Sequence, residues 1–331
     1  MVRVVDLRPT VAARTRRAAI ATAALSATVL LGCAPTPAPA TRPNVLPATP
    51  PPFTGRLSAS AVDLATHSGT WPATEKLLRT ASDALARDCM RTKGFDYPAE
   101  PAIAPRAPEN ETAAVELNDR RRSGYGIASV DPGEKASPKK PVDRYYEKLP
   151  EKGKERFDQA LFGPPKEKLH ISDTGWGVVS VPRKGCLAES EQHLVGDVRL
   201  WARITYVTER IDNQLGAAIL RAQEYKAALS IWRSCMAAQG HPYATPERIQ
   251  PKLRKKHRKV GPTKAFRQHE IGVAVADGKC ALKAHLPAVS LRVQRQLVTT
   301  LSKSDKKTLA ALAFHRDTAV MRSREILDKN R

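Results

Sequence analysis

The chain has 331 residues, with 55 Lys or Arg against 33 Asp or Glu and a formal net charge of +22. That balance excludes an acidic, self-solvating chain and turns attention to polyanionic partners. Five cysteines and 5% aromatics exclude a densely cross-linked mini-protein and a core built mainly on aromatic rings.

Arg3, Arg8, Arg14, Arg16 and Arg17 open the chain, and the uncharged stretch 18–32 follows. A spanning helix needs about 20 apolar residues, and this stretch is shorter. Residues 1–32 therefore read as a signal peptide. The stretch ends Leu30-Leu31-Gly32-Cys33, which resembles the lipobox of bacterial lipoproteins. There a small residue precedes a Cys that receives a diacylglyceryl thioether before cleavage. Leu31 departs from the smaller or β-branched residue usual at its position. The resemblance implies a lipid on Cys33 and anchoring to the outer face of the cell membrane. Two acyl chains hold a protein stably, since each buried CH₂ contributes roughly 0.8 kcal/mol. Thr15-Arg16-Arg17-Ala18-Ala19-Ile20 is also similar to a twin-arginine signal, so both export routes stay open.

Residues 33–55 are rich in Pro, Ala and Thr and read as an extended tether that cannot bury a core. The next apolar period is helical. Leu77, Leu78, Ala81, Ala84, Leu85, Cys89 and Met90 share one face, Pro72 suits the first turn, and Gly94 suits a left-handed stop. Between 94 and 175, Pro and charge mark loops around helical pieces near 112–122 and 142–161. Residues 176–181 are the one convincing strand, read as half of a small hairpin with 125–130. From Cys186 onward the period is helical. It covers 186–194, then 198–239 with a bend expected near Gly216, then 263–285 and 289–328. The expected fold is mostly α, with at most a small β-hairpin.

Besides Cys33 the chain holds Cys89, Cys186, Cys235 and Cys280. An even number in an oxidising compartment suggests two disulfides, with three connectivities open. An internal repeat narrows them. Cys89-Met90, Gly94 and Tyr97 match Cys235-Met236, Gly240 and Tyr243, while Lys184-Gly185-Cys186 is loosely echoed by Gly278-Lys279-Cys280. If each half closes on itself, Cys89 pairs with Cys186 and Cys235 with Cys280. Residues 56–196 then form a first helical repeat with a loop-rich insertion. Residues 197–331 form a second repeat and a C-terminal helix. The paired Cys-Met-x₃-Gly motifs, with the late segment Glu270-Ile271…Ala276-Asp277…Cys280, resemble a group of uncharacterised actinobacterial secreted lipoproteins. That resemblance implies location and architecture, and no activity.

Candidate chemistry is thin. Cys235, His241, Cys280 and His285 offer zinc-like donors, but the spacing is wrong and oxidised sulfur does not ligate. No metal and no cofactor is expected. No HExxH, GxSxG, Walker A, dinucleotide-binding or CxxC pattern occurs. A wall hydrolase would draw on Glu209, Asp212, Glu224, Glu270 or Asp277, of which the last two share a helix face. The strongest interaction signal is Lys252, Arg254, Lys255, Lys256, Arg258 and Lys259, read either as a solvated loop or as a contact with anionic lipid or wall polymer. Export argues against nucleic acid. The leading expectation is a non-enzymatic binding or structural module at the cell envelope, with a carboxylate-based wall hydrolase as the alternative.

Overall fold

The computed structural model describes residues 49–99, 117–128 and 140–329. Residues 1–32, read above as a signal peptide, lie outside the described residues, as do Cys33 and most of the stretch expected to be a tether. The elements are α1 Ala59–Thr66, α2 Trp71–Thr92, α3 (117–123), α4 Pro141–Glu147, α5 Glu151–Phe162, β1 Lys168–Ile171, β2 Val179–Pro182, α6 Cys186–Val195, α7 Val198–Ile219, α8 Gln223–Ala238, α9 Ile249–Val260, α10 Lys264–Lys283, α11 Leu286–Leu297 and α12 Lys303–Lys329. The mostly helical expectation holds, and β1 pairs with β2 as an antiparallel hairpin.

The Cys-Met-x₃-Gly spacing has a backbone cause. Gly94 takes φ +83° and Gly240 φ +75°, conformations that L side chains rarely adopt. In the first copy Phe95 N–H reaches the Met90 carbonyl (3.0 Å) and Gly94 N–H the Arg91 carbonyl (3.0 Å). In the second, His241 N–H reaches Met236 (2.9 Å) and Gly240 N–H reaches Ala237 (3.0 Å). Both are Schellman closures, which satisfy the last carbonyls of α2 and α8. Met90 and Met236 are fully buried beneath them. The neighbouring cysteines bond Cys89 to Cys186 and Cys235 to Cys280.

Three apolar clusters form the core. The first joins α1, α2, α6, α7 and α12 through Leu64, Leu78, Leu194, Ile211, Leu215 and Leu309. The second joins α8, α9, α10 and α11 around Trp232, Met236, Leu253, Phe266 and Val273. The third is a smaller aromatic knot of Phe95, Phe157, Leu161 and Cys186, with Tyr145 and Tyr146 against it. The cores interleave along the chain. The C-terminal helix α12 returns to pack on α1 and α2, while Ile127 and Ala128 cross over to the second core.

Three expectations are corrected. The 198–239 helix does not bend at Gly216. It stops after Ile219, and Ala222 turns extended (φ −69°, ψ 136°), because α8 must redirect to pack on α10. The 289–328 stretch is broken by a 3₁₀ turn, Val298–Thr300, and by extended Leu301. There Ser302 Oγ caps the Asp305 N–H at 3.0 Å and starts α12. The strand is Val179–Pro182, and its partner is Lys168–Ile171 rather than residues 125–130. Residues 125–128 are held instead by Glu270.

Candidate functional site

The acids that sequence offered for catalysis fall in different places. Glu270, on α10, is fully buried. Its Oε1 accepts the N–H of Tyr125 (2.8 Å) and of Ile127 (2.7 Å), and its Oε2 accepts that of Ala128 (2.8 Å). Gly124 at φ +62° brings the chain over the carboxylate, and a Cβ there would lie 3.0 Å from Glu270 Cγ. Two turns on, Asp277 accepts Trp232 Nε1 (2.9 Å), the Tyr125 hydroxyl (2.8 Å) and Arg120 Nη1 (2.7 Å). Burial, reinforced by Asp277, pushes the Tyr125 phenol up, so it remains a donor. These two carboxylates therefore staple residues 117–128 onto α10. Every oxygen of the pair already accepts a bond, which leaves neither placed as a free base. Glu224 pairs with Arg292 at 2.7 Å, and Asp212 accepts Gln294 Nε2 at 2.6 Å. Asp212 also sits 3.8 Å from His67 Nδ1, where Glu209 adds a more distant charge. The structure thus brings Glu209 and Asp212 near His67 and keeps Glu270 and Asp277 in the second core.

His67 was not singled out by sequence reasoning. It caps α1 at φ +47°, stacks on Trp71 with ring centroids 4.4 Å apart, and burial lowers its pKa. Buried Arg316 reaches the same corner, donating to Thr74 (2.7 Å) and pairing with Glu75 (3.3 Å). No local motif announced this corner, which is assembled from α1, α2, α7 and α12. Among the described residues, no group of three or more His, Cys, Asp or Glu is placed to hold a metal. The zinc-like set cannot form because Cys235 and Cys280 are bonded to each other.

The basic run is not a loop. It forms α9, whose inner stripe of Ile249, Leu253 and half-buried His257 lies on the second core at i, i+4, i+8 spacing. Pro251 falls in the first turn, where its missing N–H has no partner to lose. His257 rests against the Phe266 ring, centroids 5.0 Å apart. All six bases, Lys252, Arg254, Lys255, Lys256, Arg258 and Lys259, are exposed. Among the described residues, none of them has a carboxylate within ion-pair distance. Lys252 Nζ instead lies over the Tyr243 ring at 5.2 Å, and Arg254 Nη2 leans on Gln250 Oε1 at 3.4 Å.

The helical turn sorts these bases by type. Gln250, Arg254 and Arg258 run along one flank, and Lys252, Lys256 and Lys259 along the other, with Lys255 facing away from the core. The arginine flank borders an open groove of about 520 Å³ lined by Pro246, Glu247, Gln250, Pro251, Arg254 and Arg258. Glu247 is turned toward Tyr225, whose phenol is pushed up to about 12 by burial and by that carboxylate. Read as a helix, the Gln250-x₃-Arg254-x₃-Arg258 spacing would have revealed this flank. Read as a loop, it could not. No helix among the described residues is long and apolar enough to cross a membrane. Compared with protein-family models, curated proteins and solved structures, the chain matches none.

Proposed function

We propose that this is an exported protein, anchored to the outer face of the cell membrane by a lipid on Cys33, whose disulfide-stapled helical body holds anionic envelope material through α9. The activity is binding rather than catalysis. The observation that carries this reading is a helix with six exposed bases and, among the described residues, no carboxylate partner for any of them.

The fold supplies its own control for the alternative that α9 is merely a solvated face. Helix α5 stands between the Cys-Met helix and the Cys186 helix, as α9 stands between α8 and the Cys280 helix. Both are 12 residues long and end at a glycine of positive φ, Gly163 and Gly261. Yet α5 carries Glu151, Glu155 and Asp158 against Lys152, Lys154 and Arg156, with Lys154 bonded to Glu151 at 2.7 Å. A solvated helix in this position is therefore satisfied with balanced charge. On α9, six i,i+3 or i,i+4 pairs of like charge cost roughly 1–3 kcal/mol at low salt, a penalty a binding role accounts for.

The test is cosedimentation of the Cys33→Ser mature chain with purified cell wall and with phosphatidylglycerol vesicles. Retention is expected at low salt, lost as ionic strength rises and lost when the six bases are changed to Gln. Undiminished retention of the six-fold variant on both materials would remove the reading.

A further inference from the structure

The two flanks of α9 differ in kind as well as in position. Lysine offers a mobile, strongly hydrated point charge, whereas arginine offers a planar fork matched to phosphate oxygens. Here the arginines alone border the groove, and they sit one helical turn apart, about 6 Å along the axis. Arg254 is steadied by Gln250. Pro246 and Pro251 give the groove apolar walls. Glu247 and Gln250 add acceptors beside the guanidiniums, the groups that hydroxyls require. The volume falls within the range of about 300–1,000 Å³ usual for small-molecule sites.

We infer that the Arg254–Arg258 groove is a subsite for a phosphodiester-linked polyol or sugar polymer, with the lysine flank supplying only unspecific attraction. This rests on the reading of α9 as an anion-binding helix and names its ligand class. The guanidiniums take the phosphate oxygens, jointly on one phosphodiester or singly on two in succession. Glu247 and Gln250 accept hydroxyls of the intervening polyol, and the prolines pack against its carbons. A linear polymer fits better than a lone headgroup, because the groove runs on along the helix axis from the two guanidiniums to Gln250 and Glu247, about two turns in all from Arg258 to Gln250, and so extends past a single phosphate. A plain polyanion such as a sulfated dextran would meet both flanks alike, since it lacks the repeat of phosphate and free hydroxyl.

The experiment is calorimetric titration of the Cys33→Ser mature chain with a short poly(glycerol phosphate), with dextran sulfate of matched charge, and with phosphatidylglycerol vesicles. Two variants are compared, R254Q/R258Q and K252Q/K256Q. Both remove two exposed charges, and thermal melting verifies that the fold is kept. Loss of two forked contacts is expected to weaken poly(glycerol phosphate) by about 10-fold or more, while dextran sulfate changes no more than it does in the lysine variant. Equal weakening of all ligands by both variants would overturn the subsite while leaving α9 an anion binder. Tighter binding to vesicles than to the free polymer, lost with the arginines, would overturn the polymer in favour of a lipid headgroup. No binding of any polyanion by the parent chain would overturn the proposed function itself, and the subsite with it.

Discussion

Replacing Glu270 by Gln tests the claim that a buried acid here is structural. The side chain keeps its shape, but one oxygen becomes an NH₂ group. Oε1 can still accept from Tyr125 and Ile127, which leaves the Ala128 N–H facing a donor across what was a 2.8 Å bond. A hydrogen bond to a charged group contributes about 1.5–3 kcal/mol, and an unsatisfied buried N–H costs about 1–3 kcal/mol more. The expected loss is therefore about 3 kcal/mol for Glu270→Gln. For Glu270→Ala, which orphans three N–H groups and leaves a void, it is roughly 5 kcal/mol or more. Urea unfolding measures the global part. Amide exchange at Tyr125, Ile127 and Ala128 reads the local part, because residues 117–128 can detach before the helices unfold. If Glu270→Gln unfolds within about 0.5 kcal/mol of the parent and those three amides exchange at unchanged rates, the staple is not what holds this segment.

Each disulfide should be removable as a Cys→Ser pair at a cost of roughly 4 kcal/mol. The Cys89–Cys186 pair, with a sequence separation of 97, should exceed Cys235–Cys280, with one of 45, by about 0.7 kcal/mol in the chain-entropy model; denaturant midpoints compare them. Burial pushes the Glu191 carboxyl up to about 7 from 4.5. The native state then holds a proton that the unfolded chain has released, so stability should fall as pH rises from about 4.5 to 7, by up to about 3 kcal/mol. Glu191→Gln should abolish that slope and be the more stable form above pH 7, measured by melting across pH. Changing Lys252, Lys256 and Lys259 to Gln should raise thermal stability at low salt while weakening retention on cell wall, since relief of like-charge repulsion and loss of binding have opposite signs. Cys33→Ser should abolish incorporation of labelled fatty acid and leave residues 1–32 attached, checked by metabolic labelling and the mass of the purified chain.

What could be read from the sequence was whatever the backbone decides locally. The Cys-Met-x₃-Gly spacing encodes a buried turn and a glycine closure, and both closures form as the periodicity predicts. Pairing the cysteines within each half came from the duplicated motif, and the two sulfur bonds lie where that motif puts them. Long-range packing overrode other expectations. Nothing around Leu220 breaks a helix by itself, and the chain turns there because two cores must be filled. The break before α12 is different, because the Ser302-x₂-Asp305 cap is a local signal, set in a stretch whose helical period continues on both sides of it. Residues 125–130 carry strand-forming side chains, but Glu270, more than 140 residues away, takes the N–H groups of Tyr125, Ile127 and Ala128. Pairing at that sequence distance leaves no local trace.

The basic run shows the opposite failure. A stretch with so few apolar residues looked like a loop, yet Ile249 and Leu253 seat it on the second core, with half-buried His257 against the Phe266 ring completing the stripe. Once it is a helix, its composition has geometric consequences that a loop would not have. Residues four apart line up, arginines separate from lysines, and charges that a flexible segment could spread are held about 6 Å apart. On the proposed reading, that fixed spacing would let α9 discriminate between polyanions of equal charge. A disordered tail of the same six bases would follow ionic strength alone. The distinction can be measured by grafting residues 249–260 onto an unstructured carrier. The graft should bind poly(glycerol phosphate) and dextran sulfate equally at matched charge, whereas the folded protein should prefer the former. Equal preference in both settings would mean that the helix contributes charge and nothing more.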